Sequence, residues 1–253
     1  VYNAITVNPG PTYTYYGKRI DGNGVVNAAD DAANGGLGVQ LTLAASTLVD
    51  AVSDNYGAFY VLYKNGTTLY LRRISSVMGI DWTSSIANVD DAAMCLSTTG
   101  NYPTVVYSRG SEIFIQKFDS ADGDNTPGYG ETPIVSVLTY AYQAGLSITP
   151  DNAAGAIVSW FDERFYGPYI GYVLMAQAVD GAGVRLWDAD GVVGVPFDYD
   201  GVTIGIPGTW TSSELTLKTL NYNDGGAPWG GLFLWYDYRN GRADIYSDTQ
   251  ANP

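Results

Sequence analysis

The feature that most constrains the fold is a pattern of paired strands that recurs along the chain. Its clearest copy occupies residues 155–194. An apolar run around Trp160 stops at Asp162-Glu163-Arg164, a second run returns over 169–179, and an alternating segment follows at 184–187. β-Branched and aromatic residues that end in polar or Gly-rich turns are typical of antiparallel strands. This stretch therefore predicts a hairpin followed by the edge of a third strand.

Weaker copies of the pattern occur before and after this stretch. The same five-residue signature appears twice, as Trp160-x-Asp162-x-Arg164 and as Trp235-x-Asp237-x-Arg239, and Tyr63 and Tyr107 replace the Trp in two degenerate copies. Aligning the second strand of every copy brings five positions into register: Tyr16, Tyr70, Phe114, Met175 and Tyr246. Repeats of roughly 40–50 residues with four strands each are typical of propeller blades. The sequence therefore predicts an all-β fold, a β-propeller of about five blades with four antiparallel strands each.

The repeats also predict the domain organisation. One propeller domain covers 1–253, and its units lie near 1–45, 46–90, 91–140, 141–195 and 212–253, with a loop insertion at 195–211. Residues 1–7 form a strand with no obvious partner, and the last unit stops after its third strand. These two ends either complete one blade together, or the terminal strand pairs with a neighbouring molecule, since an exposed strand edge is a template for pairing.

Charge narrows the range of partners. The net charge is −14, which disfavours binding to nucleic acid or to an anionic membrane surface. No apolar run reaches the length of a membrane span, so membrane insertion is not expected. Of the 26 acidic residues 22 are Asp, a residue typical of turns, so the acidity is mostly a property of loops. Few Lys, no His and abundant Tyr, Asn, Gly and Thr favour an extracellular or cell-surface location.

The repeated unit resembles the secreted bacterial and archaeal β-propeller repeats that combine W-x-D-x-R with a following D-x-x-G-x-x-x-W. The second half of that pattern is present at Asp180-Gly183-Trp187, and in part at Asp21-Gly24 and at Asp119. The resemblance implies a propeller scaffold without a set activity, often attached to larger surface or secreted proteins. The Asp and Arg of the signature could recognise a ligand at the mouth of a blade, but because the motif repeats within the chain, as a scaffold element would, a structural role is favoured: Asp caps the turn at a strand end, and Arg pairs with it or stacks on Trp.

Two groups of residues are candidates for ligand binding. Carboxylates at spacings that Ca²⁺ can use make calcium the candidate cofactor, although Asx turns in hairpin loops explain the same pattern. They are Asp119, Asp122, Asp124, Asp188 and Asp190. Aromatic residues in predicted loops could stack on sugar rings, although Tyr in an all-β chain is more often a strand residue. They are Tyr166, Tyr169, Trp210, Trp229 and Tyr238.

Catalysis has few candidate residues. The absence of His removes the usual general base, and the single Cys95 lies in an apolar run that predicts a buried thiol. A glycosidase needs only two carboxylates, for which Glu163, Glu112 and Glu131 are candidates. The prediction is a non-catalytic extracellular structural or adhesive protein, not an enzyme, whose partner is itself through its terminal strands or surface glycans. A carbohydrate-binding propeller ranks second and a glycosidase third.

Overall fold

The computed structural model describes the following residues: 2–7, 13–54, 56–125, 129–135, 143–151, 153–162, 173–187, 202–205, 217–222, 230–237 and 244–250. Within them, the regular structure is 18 β-strands with one helical turn at Ala28–Ala32 and a 3₁₀ turn at Ala33–Gly36. All strand pairs are antiparallel, which confirms the predicted all-β class. No helix in the described ranges is long and apolar enough to cross a membrane. The chain divides into two compact units, Val1–Val89 with Ser120–Asp124 (unit 1) and Asp90–Asp119 with Asn125–Pro253 (unit 2).

Unit 1 contains two sheets in which consecutive strands are neighbours. Sheet one consists of β1 (Tyr2–Val7), β2 (Tyr15–Ile20) and β3 (Val39–Gln40). Sheet two consists of β4 (Ser46–Ser53), β5 (Phe59–Asn65), β6 (Thr68–Ile74) and β7 (Ile80–Ile86). The prediction that the first strand has no partner of its own is wrong, because β1 pairs with β2 along its whole length.

Unit 2 contains three sheets built in the same way. Sheet three consists of β8 (Ala92–Leu96), β9 (Pro103–Arg109), β10 (Glu112–Lys117) and β11 (Thr132–Val135). Sheet four consists of β12 (Gln143–Pro150), β13 (Ala156–Asp162), β14 (Val173–Val179) and β15 (Val202–Gly205). Sheet five consists of β16 (Leu217–Tyr222), β17 (Gly230–Asp237) and β18 (Asp244–Gln250).

The aligned positions of the repeat are cross-strand partners within four of the sheets. The pairs are Tyr63 with Tyr70, Tyr107 with Phe114, Trp160 with Met175, and Trp235 with Tyr246. The rings of the first two pairs stack, with centroids 5.3 Å and 5.6 Å apart. Because directly opposite side chains are the closest neighbours on a sheet face, the first two pairs fasten the two central strands of their sheets together.

Sheet four differs from the predicted hairpin and edge strand at one point. Residues 184–187 do not form a strand: Arg185 makes an isolated bridge to Val179. The Gln177 side chain takes the place of a strand partner, since its amide accepts from Trp187 N and donates to Trp187 O. The fourth strand is instead β15, which lies inside the segment predicted as the loop insertion 195–211.

Each unit has a core between its sheets. In unit 1 the core includes Leu41 with Val61, Tyr63 and Ile74. In unit 2 one face of sheet three packs on sheet four through a larger cluster. That cluster comprises Cys95, Val106, Ile113, Ile115, Tyr129, Ile134, Leu146, Ile148, Ala156, Val158, Trp160, Met175 and Val179. Cys95 is buried, as its apolar neighbours predict.

Candidate functional site

The first strands of the three sheets in unit 2 are neighbours. Strand β12 packs against β8 on one side and against β16 on the other, although the three belong to different sheets. Each sheet therefore directs its first strand towards the same region of the unit. Residues at the beginning of these strands come together from separate parts of the sequence.

Asp91 joins β8 to β12 at the beginning of both strands. Its Oδ2 accepts hydrogen bonds from Gly145 N at 3.1 Å and Leu146 N at 3.2 Å, and its Oδ1 accepts from Ala92 N at 2.9 Å. A register shift between Ala144 and Ser147 interrupts the ladder of β12 with β13 at this place. The two amide groups of the irregular segment are therefore satisfied by a carboxylate from the adjacent sheet.

A second acidic position lies next to the first residue of β12. Asp162 is the last residue of β13, and its Cα partner is Gln143, the first residue of β12. The beginning of β12 is therefore flanked by Asp91 from β8 and by Asp162 from β13. We call this place, with Asp91, Asp162 and residues 143–146, the acidic end of unit 2. Glu163 follows Asp162 in the sequence but lies outside the described residues.

Two further carboxylates occupy the outer part of sheet three. Asp90 accepts from Gly110 N at 2.8 Å, so its side chain is directed towards the β9–β10 turn. Glu112 begins β10 and is the Cα partner of Arg109 across that turn. Both are thus placed at the β9–β10 turn, and neither is assigned to the acidic end.

Glu131 is held in an ion pair on one face of sheet three. It accepts from Arg109 Nη1 at 3.1 Å and Nη2 at 3.0 Å, and also from the hydroxyl of Tyr107, which is fully buried. Burial raises the pKa of Glu131, but the hydrogen bonds from Tyr107 and Arg109 outweigh it, and the net shift is downward. A general acid needs a raised pKa. Glu131 is therefore unsuited to the acid role that the sequence allows it.

This ion pair predicts a loss of stability in acid. Since the pKa of Glu131 is lower in the folded chain than its ordinary value of 4.5, the stabilisation by the ion pair is complete above that value and is lost as pH falls through the folded pKa. We expect Glu131→Gln to lower the thermal midpoint at pH 7 and to match the wild type near pH 3. Thermal unfolding of both proteins from pH 7 to pH 3 measures this difference. A difference that stays constant with pH would contradict the assignment.

The aspartates of the predicted turns mostly serve their own loops. One carboxylate oxygen accepts from the N–H groups two and four residues later in four loops, which begin at Asp21, Asp54, Asp151 and Asp180. This geometry satisfies the loop backbone without an ion. It accounts for the excess of Asp over Glu in these loops.

The predicted calcium ligands are not brought together as one group in the part of the chain that the structure describes. Asp122 Oδ1 accepts from Asp124 N at 3.0 Å within unit 1, whereas Asp119 belongs to unit 2. Among the described residues, no three His, Cys, Asp or Glu side chains are grouped so that they could hold a metal ion. Asp188 and Asp190 lie outside the described residues. Calcium binding stays a prediction.

The repeated signature is described only in part. Trp160 is fully buried in β13, and Asp162 and Asp237 are the last residues of their strands. Trp235 lies in β17. The remaining predicted site residues fall outside the described ranges, so their roles stay predictions. They are Arg164, Arg239, Tyr166, Tyr169, Trp210, Trp229 and Tyr238.

Unit 2 also contains a buried lysine, Lys117, which the sequence motifs do not indicate. Lys117 Nζ donates to Ala154 O at 2.6 Å and lies 4.6 Å from the centroid of the Tyr129 ring. Burial lowers the pKa of Lys117 and raises that of Tyr129. The available signal is the alternation of β10, which places Lys117 on the same face as the buried Ile113 and Ile115. The lysine thus ties sheet three to a loop of sheet four.

The comparisons with known proteins concern the whole chain. No protein-family model and no curated protein matches it. Among solved structures, it is similar to oligopeptidase B from Leishmania major, at 11% identity and a TM-score of 0.40, over 94% of this chain and 32% of that one. It is also similar to an engineered GH43 glycoside hydrolase with endo-xylanase and exo-arabinofuranosidase activity, at 11% identity and a TM-score of 0.42, over 97% of this chain and 46% of that one. An endo-1,4-beta-xylanase from Bacteroides thetaiotaomicron matches at 10% identity and a TM-score of 0.40, over 99% and 95% of the two chains.

The chain thus spans about a third of the length of oligopeptidase B and just under half of the length of the GH43 glycoside hydrolase. Glycoside hydrolases are among the structures it resembles, and this finding contradicts two predictions made from the sequence. One is the non-catalytic structural or adhesive protein that assembles through its terminal strands, and the other is that the chain is not an enzyme. At TM-scores of 0.42 and 0.40 the similarity itself assigns no activity. An activity has to come from the side chains of this chain.

Proposed function

We propose that this chain is a glycoside hydrolase whose catalytic carboxylates lie at the acidic end of unit 2. The observation that supports it is the position of Asp91 and Asp162 next to the first residues of β12. Hydrolysis of a glycosidic bond requires two carboxyl groups that flank the bond, one to protonate the leaving oxygen and one to act as base or nucleophile. Asp91, just before β8, and Asp162, at the end of β13, both lie next to the beginning of β12 and are candidates for such a pair.

The two aspartates differ in their hydrogen bonding. A carboxylate offers about four acceptor positions. Asp91 uses three of them for backbone N–H groups, which fixes its orientation. We assign Asp91 the role of base or nucleophile, with its remaining acceptor position directed to water or substrate. We assign Asp162, at the end of β13, the role of general acid.

The composition of the chain favours carboxylate chemistry over its alternatives. The sequence contains no His, so a proton cannot be moved by imidazole at neutral pH. It contains one Cys, which is buried, so a thiolate nucleophile has no support in this chain. Carboxyl groups are the remaining side chains that commonly act as acid and base near pH 6.

We also propose that the five sheets are blades of one five-bladed β-propeller. Two observations support this proposal: consecutive strands are neighbours in every sheet, and the first strands β8, β12 and β16 pack together in unit 2. Blades of a propeller are arranged around a central channel that their first strands line. A substrate site at the beginning of those strands would open into that channel.

The experiment that tests the proposed function compares three variants on soluble arabinoxylan. Asp91→Asn removes the charge and keeps one oxygen that can accept from Gly145 N and Leu146 N, at the cost of the bond from Ala92 N, and Asp162→Asn removes the proposed acid. We expect each to lower kcat by about a hundredfold, the usual effect of losing one acid–base group. Glu131→Gln is the matched control, because its carboxylate is occupied by Arg109 and Tyr107. Equal activity in all three would overturn the site assignment.

A further inference from the structure

Two loops of unit 1 lie against each other at one end of sheet two. The loop 54–58 connects β4 to β5, and the loop 75–79 connects β6 to β7. They touch at Gly57, where a Cβ atom would lie 3.2 Å from Ser76 Cβ. We call the two loops together the loop platform.

Each loop of the platform is closed by its own hydrogen bonds. Asp54, which is buried, accepts from Tyr56 N at 2.8 Å and from Ala58 N at 3.0 Å. Ser75 N donates to Gly79 O at 2.8 Å, and Gly79 N donates to Ser75 Oγ at 3.0 Å. The backbone of both loops is therefore fixed without help from a ligand.

Charged side chains tie the platform to the sheets. Arg73 donates to Asp54 Oδ2 at 3.3 Å and to the carboxylate of Asp81, and Arg19 donates to Ser76 O at 2.8 Å. The Asp81 side chain is about one-third exposed. Charged donors and acceptors are thus available at the edge of the platform.

On this fixed backbone the platform exposes apolar side chains. Tyr56 is 81% exposed and Val77 is 73% exposed, whereas Tyr60, Tyr63 and Trp82 in the strands of sheet two are buried. An exposed aromatic ring beside a carboxylate and a guanidinium offers the two kinds of contact by which a protein binds a sugar ring, stacking and hydrogen bonding. The ring face stacks on the C–H face of the sugar, and the polar side chains bond its hydroxyl groups.

We infer that the loop platform of unit 1 is a carbohydrate-binding site for a neutral polysaccharide, with Tyr56 stacking on one sugar ring. The charge of the chain favours a neutral glycan. The net charge is −14, and the two carboxylates of the platform, Asp54 and Asp81, are both paired with Arg73, so a polyanionic glycan is disfavoured. This binding site is separate from the residues of the acidic end and goes beyond the proposed hydrolysis.

Affinity gel electrophoresis of the full chain tests this inference. The gels contain soluble arabinoxylan, soluble galactomannan or, as the anionic comparison, polygalacturonate. We expect one or both neutral polymers to slow the wild type and polygalacturonate to leave its migration unchanged. Tyr56→Ala should weaken the retardation about fivefold, as loss of one aromatic stacking contact predicts, and Tyr56→Trp should preserve it. Tyr13→Ala, which removes another exposed tyrosine of unit 1, should migrate like the wild type.

The inference is overturned if neither neutral polymer slows the wild type, if polygalacturonate slows it as strongly as they do, or if Tyr56→Ala is retarded as strongly as the wild type. The readout is migration and does not depend on hydrolysis. A chain that is retarded but releases no sugar contradicts the proposed hydrolase and leaves this binding site standing. A chain that hydrolyses glycans without any effect of Tyr56→Ala contradicts the binding site alone.

Discussion

Replacement of Gly155 by Ala is expected to lower the free energy of unfolding by about 3 kcal/mol, at the upper end of the usual cost of overpacking. A Cβ atom at this position would lie 2.1 Å from Val179 O and 2.9 Å from Asp180 Cα. These are backbone atoms, which cannot rotate away. It would also lie 2.5 Å from the Asp151 carboxylate, which accepts from Gly155 N at 2.8 Å. The substitution therefore displaces the turn between β12 and β13 from the end of β14.

Gly130→Ala is the matched control for this prediction. A Cβ atom there would approach only Asn125 Nδ2, at 4.0 Å. It should change the free energy of unfolding by less than about 0.5 kcal/mol. Urea denaturation followed by tryptophan fluorescence measures both variants. If the two glycine substitutions cost the same, then the close contact of Gly155 with β14 is not as the structure describes.

Trp160→Ala is expected to cost about 3–5 kcal/mol, the usual range for removing a buried aromatic side chain. Trp160 is fully buried and lies in the cluster between sheets three and four with Leu146, Ile148 and Met175. Met175 is also its direct cross-strand partner. The substitution leaves a cavity that these neighbours cannot close without moving their strands.

Val184→Ala serves as the comparison for Trp160→Ala, because Val184 belongs to the same unit and is 59% exposed. Val184→Ala should leave the stability of the fold nearly unchanged. The two variants are measured by thermal unfolding at the same protein concentration. A midpoint for Trp160→Ala as high as that of Val184→Ala would show that the signature tryptophan does not support the core of unit 2.

Parts of the fold follow from local sequence. The alternation of apolar and polar residues and the Gly-rich turns predict antiparallel strands, because each strand carries its own signal. The repeated aromatic positions go further, since they mark residues that face each other across two strands. Tyr70 and Phe114 pair with Tyr63 and Tyr107 for this reason. Recurrence within one chain thus conveys information on register that a single strand lacks.

Two predictions about the strands of sheet four are wrong for physical reasons that a local sequence pattern cannot convey. Residues 184–187 alternate as a strand does, but the side chain of Gln177 binds the backbone of Trp187 in place of a neighbouring strand. The strand β15 lies in a stretch rich in Gly and Pro, and its partner β14 supplies the reason for it to form. In both places a contact between residues distant along the chain decides the structure.

The candidate site could not be predicted from the sequence for the same reason, because contacts between distant parts of the chain bring its residues together. Asp91 and Asp162 are 71 residues apart, and only the packing of β8 on β12 and the register of β13 bring them to one place. The sequence instead favours the few Glu residues as acids. The structure shows Glu131 in an ion pair and Glu112 on the outer part of sheet three. Residue type alone could not distinguish these environments.

The most direct test of the central claim is the rate at which the purified wild-type chain releases reducing ends from soluble, neutral arabinoxylan and galactomannan. The proposed function predicts release that grows with time and enzyme concentration on at least one of them, and that falls about a hundredfold in Asp91→Asn. No release from either polymer by a folded wild-type chain, or release that Asp91→Asn leaves unchanged, would contradict a hydrolase centred on the acidic end of unit 2.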